Sequence, residues 1–131
     1  DKGLHKFTYS LFVSDNGVCQ SDVVRRAYEL NCPVCVSGGN KGEKSFVSVD
    51  NPGVILDTVK YAEDGSKDLI VRLYESRGSF AKTKISFGFD IKEVYITNMI
   101  EENLENVNAE NNEIAVALNA FEVKTIRIKV R

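Results

Sequence analysis

Cys32-Pro33-Val34-Cys35 is the segment of this 131-residue chain whose residue types and spacing carry the sharpest chemical meaning. A C-x-x-C pair can supply half of a zinc site, and Cys19 with His5 would complete a Cys₃His set. Structural zinc sites usually bring two tight ligand pairs, whereas His5 stands alone in an alternating apolar segment. A redox dithiol would open a helix, where the N-terminus favours the thiolate. Here the pair follows a helix-like segment instead. The expectation for Cys32 and Cys35 is therefore two small, half-buried side chains in a strand, with no metal bound.

Acid-base chemistry needs two positioned carboxylates. Glu101, Glu102 and Glu105 cluster in a polar stretch where charges are normally solvated, and Asp57 and Glu75 fall where an exposed polar sheet face is expected. With a single histidine, a Ser-His-Asp or Cys-His arrangement could form only around His5, which Phe7 and Tyr9 flank as in a partly buried strand. Gly38, Gly39 and Gly42 lack the strand-loop-helix context of a phosphate loop. Tyr9, Tyr28, Tyr61, Tyr74 and Tyr95 could stack on sugar rings, but most lie in alternating segments that predict sheet packing. Arg25-Arg26 reads as a solvated helix face. No catalytic, substrate-binding or metal residue is assigned.

The elements that would position these groups are mostly strands. Asn51-Pro52-Gly53 is a turn, Val54–Tyr61 a strand rich in β-branched residues, Glu63–Asp68 a polar connection and Leu69–Tyr74 the return strand. In the return strand Leu69, Val71 and Leu73 point one way and Ile70, Arg72 and Tyr74 the other. Both faces are half apolar, which predicts a hairpin in the middle of a sheet. Upstream, Gly3–Val13 alternates as a strand and 14–17 carries turn chemistry. Ser21 or Asp22 can cap a helix whose stripe is Val23, Val24, Ala27, Tyr28 and Leu30, closed by Asn31 and Pro33. Residues 33–37 read as a short strand, 38–42 as a flexible loop and 45–49 as a strand.

Downstream, 76–79 turn the chain, and 83–89 and 93–97 are strands. Residues 98–112 form a loop with a short strand anchored by Ile100, Leu104 and Val107. Segments 113–118 and 121–130 make a closing pair. Many short strands at even spacing predict an all-β antiparallel β-sandwich with one short helix, a closed barrel being the alternative.

Composition sets the outer bounds. The length predicts one domain, a hydrophobic fraction of 43% is ordinary for a globular protein, and a net charge of −2 predicts no affinity for nucleic acid or anionic membranes. No apolar run approaches the roughly 20 residues of a membrane span. Three cysteines without a framework spacing, and no Asn-x-Ser/Thr sequence, favour a reducing, cytoplasmic setting. A start at Asp1 and a lone Met99 predict a piece of a longer protein.

Five ordered segments go further. Residues 3–11 (GLHKFTYSL), 27–33 (AYELNCP), 58–65 (TVKYAEDG), 71–75 (VRLYE) and 118–126 (LNAFEVKTI) resemble, in order and spacing, the C-terminal region of glycoside hydrolase family 38 α-mannosidases, nearest to the bacterial and cytosolic branch. The likeness runs from about Gly3 to Ile128. One departure is Val13-Ser14, where the family often has Pro-His. The resemblance implies a parent enzyme that cleaves α-mannosides with retention, through an aspartate nucleophile and a zinc ion held by Asp and His side chains. Those residues belong to an N-terminal catalytic domain, so zinc is expected there and no cofactor in this piece. For residues 1–131 the resemblance implies a single C-terminal, non-catalytic β-sandwich. Its partner would be the remainder of the parent chain, with a second copy as a further candidate. An autonomous carbohydrate-binding module is the alternative.

Overall fold

Leu69, Val71 and Leu73 are in phase along one strand, and each is almost wholly removed from water. That period-two pattern, repeated in neighbouring segments, produces the two antiparallel sheets of the computed structural model. The structure describes residues 2–18, 20–39 and 42–131. They divide into two compact units, one up to Val34 and one from Cys35 to Arg131.

The first unit holds the single described helix, α1 (Val23–Asn31). Asp22 occupies the N-cap position without a side-chain cap bond, while the Ser21 hydroxyl accepts the Val23 N–H at 3.4 Å. Arg25 pairs with Asp22 at 2.8 Å and Arg26 with Glu29 at 3.3 Å along its solvated face. The helix ends at Cys32, whose N–H bonds the Tyr28 carbonyl. Residues 3–13 are not a strand: Leu4, Phe7, Tyr9, Leu11 and Val13 are exposed. Alternation supplies a face, but a strand also needs a neighbouring edge for its backbone groups, and among the described residues this segment pairs with none.

The second unit is an all-β sandwich. One sheet has three strands in the order β1 (Val47–Val49), β4 (Ala81–Phe87), β7 (Glu113–Leu118). The other has five, in the order β2 (Val54–Tyr61), β3 (Leu69–Glu75), β8 (Val123–Val130), β5 (Ile91–Thr97), β6 (Asn103–Val107). Ile85, Phe87, Ile114, Val116 and Leu118 of the small sheet meet Val71, Leu73, Val94, Ile126 and Ile128 of the large one in a single core. Each such side chain contributes about 1.5–3 kcal/mol on burial. The sheets remain separate, as in a sandwich and not a barrel.

Three expectations fail on topology. The hairpin is not central, because β2 is an edge strand and only β3 is flanked on both sides. Its two apolar faces reflect β3 alone, whose outward Ile70 is fully buried. Segments 113–118 and 121–130 are not paired with each other: β7 joins β4 and β8 joins β3 and β5. Two apolar runs around a short turn describe an arch between sheets as well as a hairpin, and here their apolar faces meet across the core. Residues 33–37 form no strand, and Val34 and Val36 are exposed. In 98–112 only Val107 packs on the core, whereas Ile100 and Leu104 are exposed.

Candidate functional site

Glu75 extends the inward series Leu69, Val71, Leu73 by one position, and it is 1% exposed. A carboxylate there must be satisfied or it will unfold the strand end. Its Oε1 accepts the Arg77 N–H at 2.8 Å, and its Oε2 accepts those of Gly78 at 2.8 Å, Ser79 at 3.2 Å and Phe121 at 3.0 Å. Burial pushes the carboxyl up, but the four backbone N–H groups together hold it below the usual carboxylate range. With both oxygens engaged by backbone donors and the residue 1% exposed, the group is not presented to a substrate. It is an ionised clamp rather than an acid or base.

The clamp gathers three connections at one end of the sandwich. Ser76 donates from its N–H and hydroxyl to the Gly53 carbonyl at 2.9 and 3.0 Å, and the Glu75 N–H bonds the Glu122 carbonyl at 3.0 Å. Phe121 sits at φ 58°, in the left-handed region, and its ring lies on Gly78. Even so, Phe121 is 70% exposed and its neighbour in this end, Phe80, is 62% exposed. The backbone strain at Phe121 is therefore spent on holding an aromatic ring in water, a pattern associated with binding surfaces. Gly78 has φ 71°, and a Cβ added there would stand 2.6 Å from the Phe121 ring. Gly78→Ala is expected to cost about 1 kcal/mol in backbone strain and to displace the ring, checked by urea unfolding and by the Phe121 ring resonances.

A second carboxylate also proves buried. Glu101 is 8% exposed at φ 69°; its Oε1 meets Lys60 Nζ at 2.7 Å and its Oε2 accepts the Glu63 N–H at 2.8 Å. The Lys60 hydrogen bond, ahead of the Glu63 N–H, holds this carboxyl low. Since Glu101 follows β5 and Lys60 lies on β2, the segment crosses the outer face over β8 and β3, which accounts for the buried Ile70. Burial of Glu75 and Glu101 corrects the expectation of solvated carboxylates, while Asp57, Glu102 and Glu105 are exposed. The missed signal was phase: Glu75 continues a run of inward positions.

The other sequence candidates do not converge. His5, Cys32 and Cys35 are exposed, so the two cysteines are not half-buried strand residues, and Cys19 lies outside the described residues. Among the described residues no three His, Cys, Asp or Glu side chains form a metal-ligand group. Tyr9 and Tyr61 are exposed, while Tyr28, Tyr74 and Tyr95 are half-buried. Among the described residues no helix is long and apolar enough to cross a membrane.

The family-model match falls within the second unit, and the curated relatives match across both. Residues 53–126 match the family model described as the glycosyl hydrolases family 38 C-terminal beta sandwich domain. The chain is 33% identical to alpha-mannosidase G of Dictyostelium discoideum over 97% of its own length and 12% of that protein's. It is 32% identical to human alpha-mannosidase 2C1 over 77% of the chain and 10% of the relative, and 26% identical to the mouse protein of that name over 96% and 13%. It thus spans roughly a tenth of the length of the curated relatives it matches. The matched residues hold β2 through the first half of β8, including the Glu75 clamp and the arch into Phe121, and on that ground the chain belongs to the glycoside hydrolase family 38 C-terminal β-sandwich family.

Proposed function

We propose that this chain is the non-catalytic C-terminal support of an α-mannosidase, a retaining hydrolase of α-mannosides, and that it docks on the remainder of the parent chain. One observation carries the reading: the buried Glu75 carboxylate fixes a strained loop end that presents Phe80 and Phe121 to solvent. The occupant proposed for those rings is the rest of the enzyme, since the relatives bearing this domain are named alpha-mannosidases and this chain spans only 10–13% of their length. The setting is cytoplasmic, in keeping with three cysteines and no Asn-x-Ser/Thr sequence. Zinc belongs, on this reading, to the parent's catalytic region, and no residue of this chain is assigned to it.

The test is a Phe80→Ser/Phe121→Ser double substitution in the full-length enzyme. Burying each phenylalanine is worth about 1.5–3 kcal/mol, so the docking equilibrium should fall at least about a hundredfold. The double variant should show separate unfolding of the C-terminal domain and increased proteolytic release of it, while a Tyr61→Ala control at the other end keeps wild-type behaviour. Unchanged cooperativity and unchanged proteolysis of the double variant would sink the docking role.

A further inference from the structure

The strand directions place a second distinctive surface at the end of the sandwich away from the Glu75 clamp. β3 reaches the clamp at Glu75 and begins at Leu69, and β8 pairs Val123 with Tyr74 near the clamp but ends at Val130, opposite Ile91. Two cavities open at that far end, of about 490 Å³ and about 400 Å³, and Arg131 lines both. Each falls in the size range of small-molecule sites, about 300–1,000 Å³. We propose that together they form an oligosaccharide-binding site, an amide-lined cleft joined at Arg131 to an aromatic shelf.

The larger cleft runs between the start of β5, the end of β6 and the turn at 108–112. That turn is shaped by Asn112, at φ 60°: its Oδ1 accepts the Ile91 N–H at 3.1 Å, its Nδ2 donates to Asp90 at 3.1 Å, and its carbonyl accepts the Phe87 N–H. Asn106, Asn108 and Asn111 line the same cleft in a different state. Their side-chain amides are exposed, with no partner among the described residues, and Lys92 and Arg131 are exposed beside them. An amide offers a donor and an acceptor side by side. That pairing matches vicinal hydroxyls, each itself donor and acceptor, better than it matches an apolar or singly charged ligand.

The smaller cavity supplies what the cleft lacks. Phe46 is 55% exposed with its ring 4.7 Å from that of Phe89, and Tyr61 is 69% exposed. Sugar rings carry both a hydroxyl edge and an apolar C–H face, and the C–H face packs on aromatic rings whose π cloud is electron-rich. A single monosaccharide uses one cavity, whereas a chain of two or more sugars meets both the amides and the shelf. The chain's net charge of −2 argues against a polyanion such as nucleic acid as the occupant. This site does not depend on the docking role of Phe80 and Phe121, because the two surfaces lie at opposite ends of the strands.

The experiment is an NMR and calorimetric titration of the 131-residue chain with an α-linked mannotriose. Binding should be saturable and weak, with shifts at the side-chain amides of Asn106, Asn108 and Asn111 and at the Tyr61 ring, and none at Phe121. Tyr61→Ala and Asn108→Ala should each weaken binding by about tenfold, the effect of losing one aromatic stack or one paired hydrogen bond. Because the wild-type shift map reads the site directly, a variant that folds poorly does not rescue the idea. An absence of saturable shifts, shifts that map to the clamp end, or binding unaltered by both substitutions would overturn it.

Discussion

Glu75→Ala is expected to destabilise the sandwich by about 3 kcal/mol, the cost of removing a charged acceptor that several part-buried backbone donors share. Four backbone N–H groups lose their charged acceptor at once, at a side-chain position that is 1% exposed. Glu75→Gln separates charge from shape. It keeps one acceptor oxygen but turns an NH₂ toward donors, so it should fall between wild type and alanine. The pH dependence has a definite sign. The folded carboxyl titrates below its unfolded value, near 4.3. Its stabilisation is therefore complete above that pH and is lost as pH falls through the lower folded value. Urea unfolding between neutral and acid pH should show a steeper decline in wild type than in Glu75→Gln, in which Asp64 and Glu101 still contribute theirs. Amide exchange at Arg77, Gly78, Ser79 and Phe121 should quicken in both variants. A loss of stability with those four amides still protected would remove Glu75 from the clamp. A confirmed loss would also reach function, since the loop that unravels is the one holding Phe80 and Phe121.

The strands were legible wherever alternation and burial coincide. Val54–Tyr61 matches β2 to the residue and Glu113–Leu118 matches β7, because each carries an uninterrupted inward series between turn residues. Helix α1 followed from its apolar stripe and from Pro33 beyond it. What alternation does not encode is the neighbour. Residues 3–13 alternate as well as β2 does yet pair with no strand among the described residues, and the arch at 119–122 carries the same signature as a hairpin. The family was legible from ordered segments spanning both units, and the match over residues 53–126 bears it out. The clamp was half legible. Glu75 lies in phase with Leu69, Val71 and Leu73, but that its four donors would come from residues 77–79 and from Phe121 depends on a separation of 46 positions.

The outer face of the large sheet shows how polar residues can bury an apolar one. Ile70 points away from the core, between Lys60 on β2 and Arg127 on β8, and is still fully buried. The covering comes from the connection after β5, which Met99 anchors at the Thr125 hydroxyl, 3.7 Å from its sulfur, and Glu101 anchors at Lys60. A sheet face that reads as half polar in sequence is thus closed by ion pairs over a single isoleucine, and this is why β3 looks apolar on both sides.

Arg127→Met should have the second largest effect, and its clearest readout is a carboxyl titration. Arg127 Nε meets Asp68 at 2.7 Å, and its Nη2 donates to the Ser66 hydroxyl at 3.0 Å and to Asp64. Arg127 and Asp68 expose only 13% and 17% of their side chains. Their coupling should therefore lie between the ~0–1 kcal/mol of surface pairs and the ~3–5 kcal/mol lost on breaking buried ones, at about 2 kcal/mol. A double-mutant cycle with Asp68→Asn measures it. Asp64 is held at a pKa of about 2, first by the Arg127 hydrogen bond and then by those of Ser66. A depressed carboxyl stabilises the fold above its unfolded value, near 3.9, and that contribution fades as pH falls toward 2. In Arg127→Met the Asp64 carboxyl carbon should titrate closer to 3.9, with Ser66 alone keeping it slightly low. A titration still centred near 2 would mean that Arg127 is not the cause. The same substitution frees the connection between β2 and β3 from β8, and with it the position of Tyr61 at the end of the edge strand. Mannotriose binding should then weaken in Arg127→Met although Arg127 lines neither cavity, which ties the far-end site to the ion pairs that hold its shelf in register.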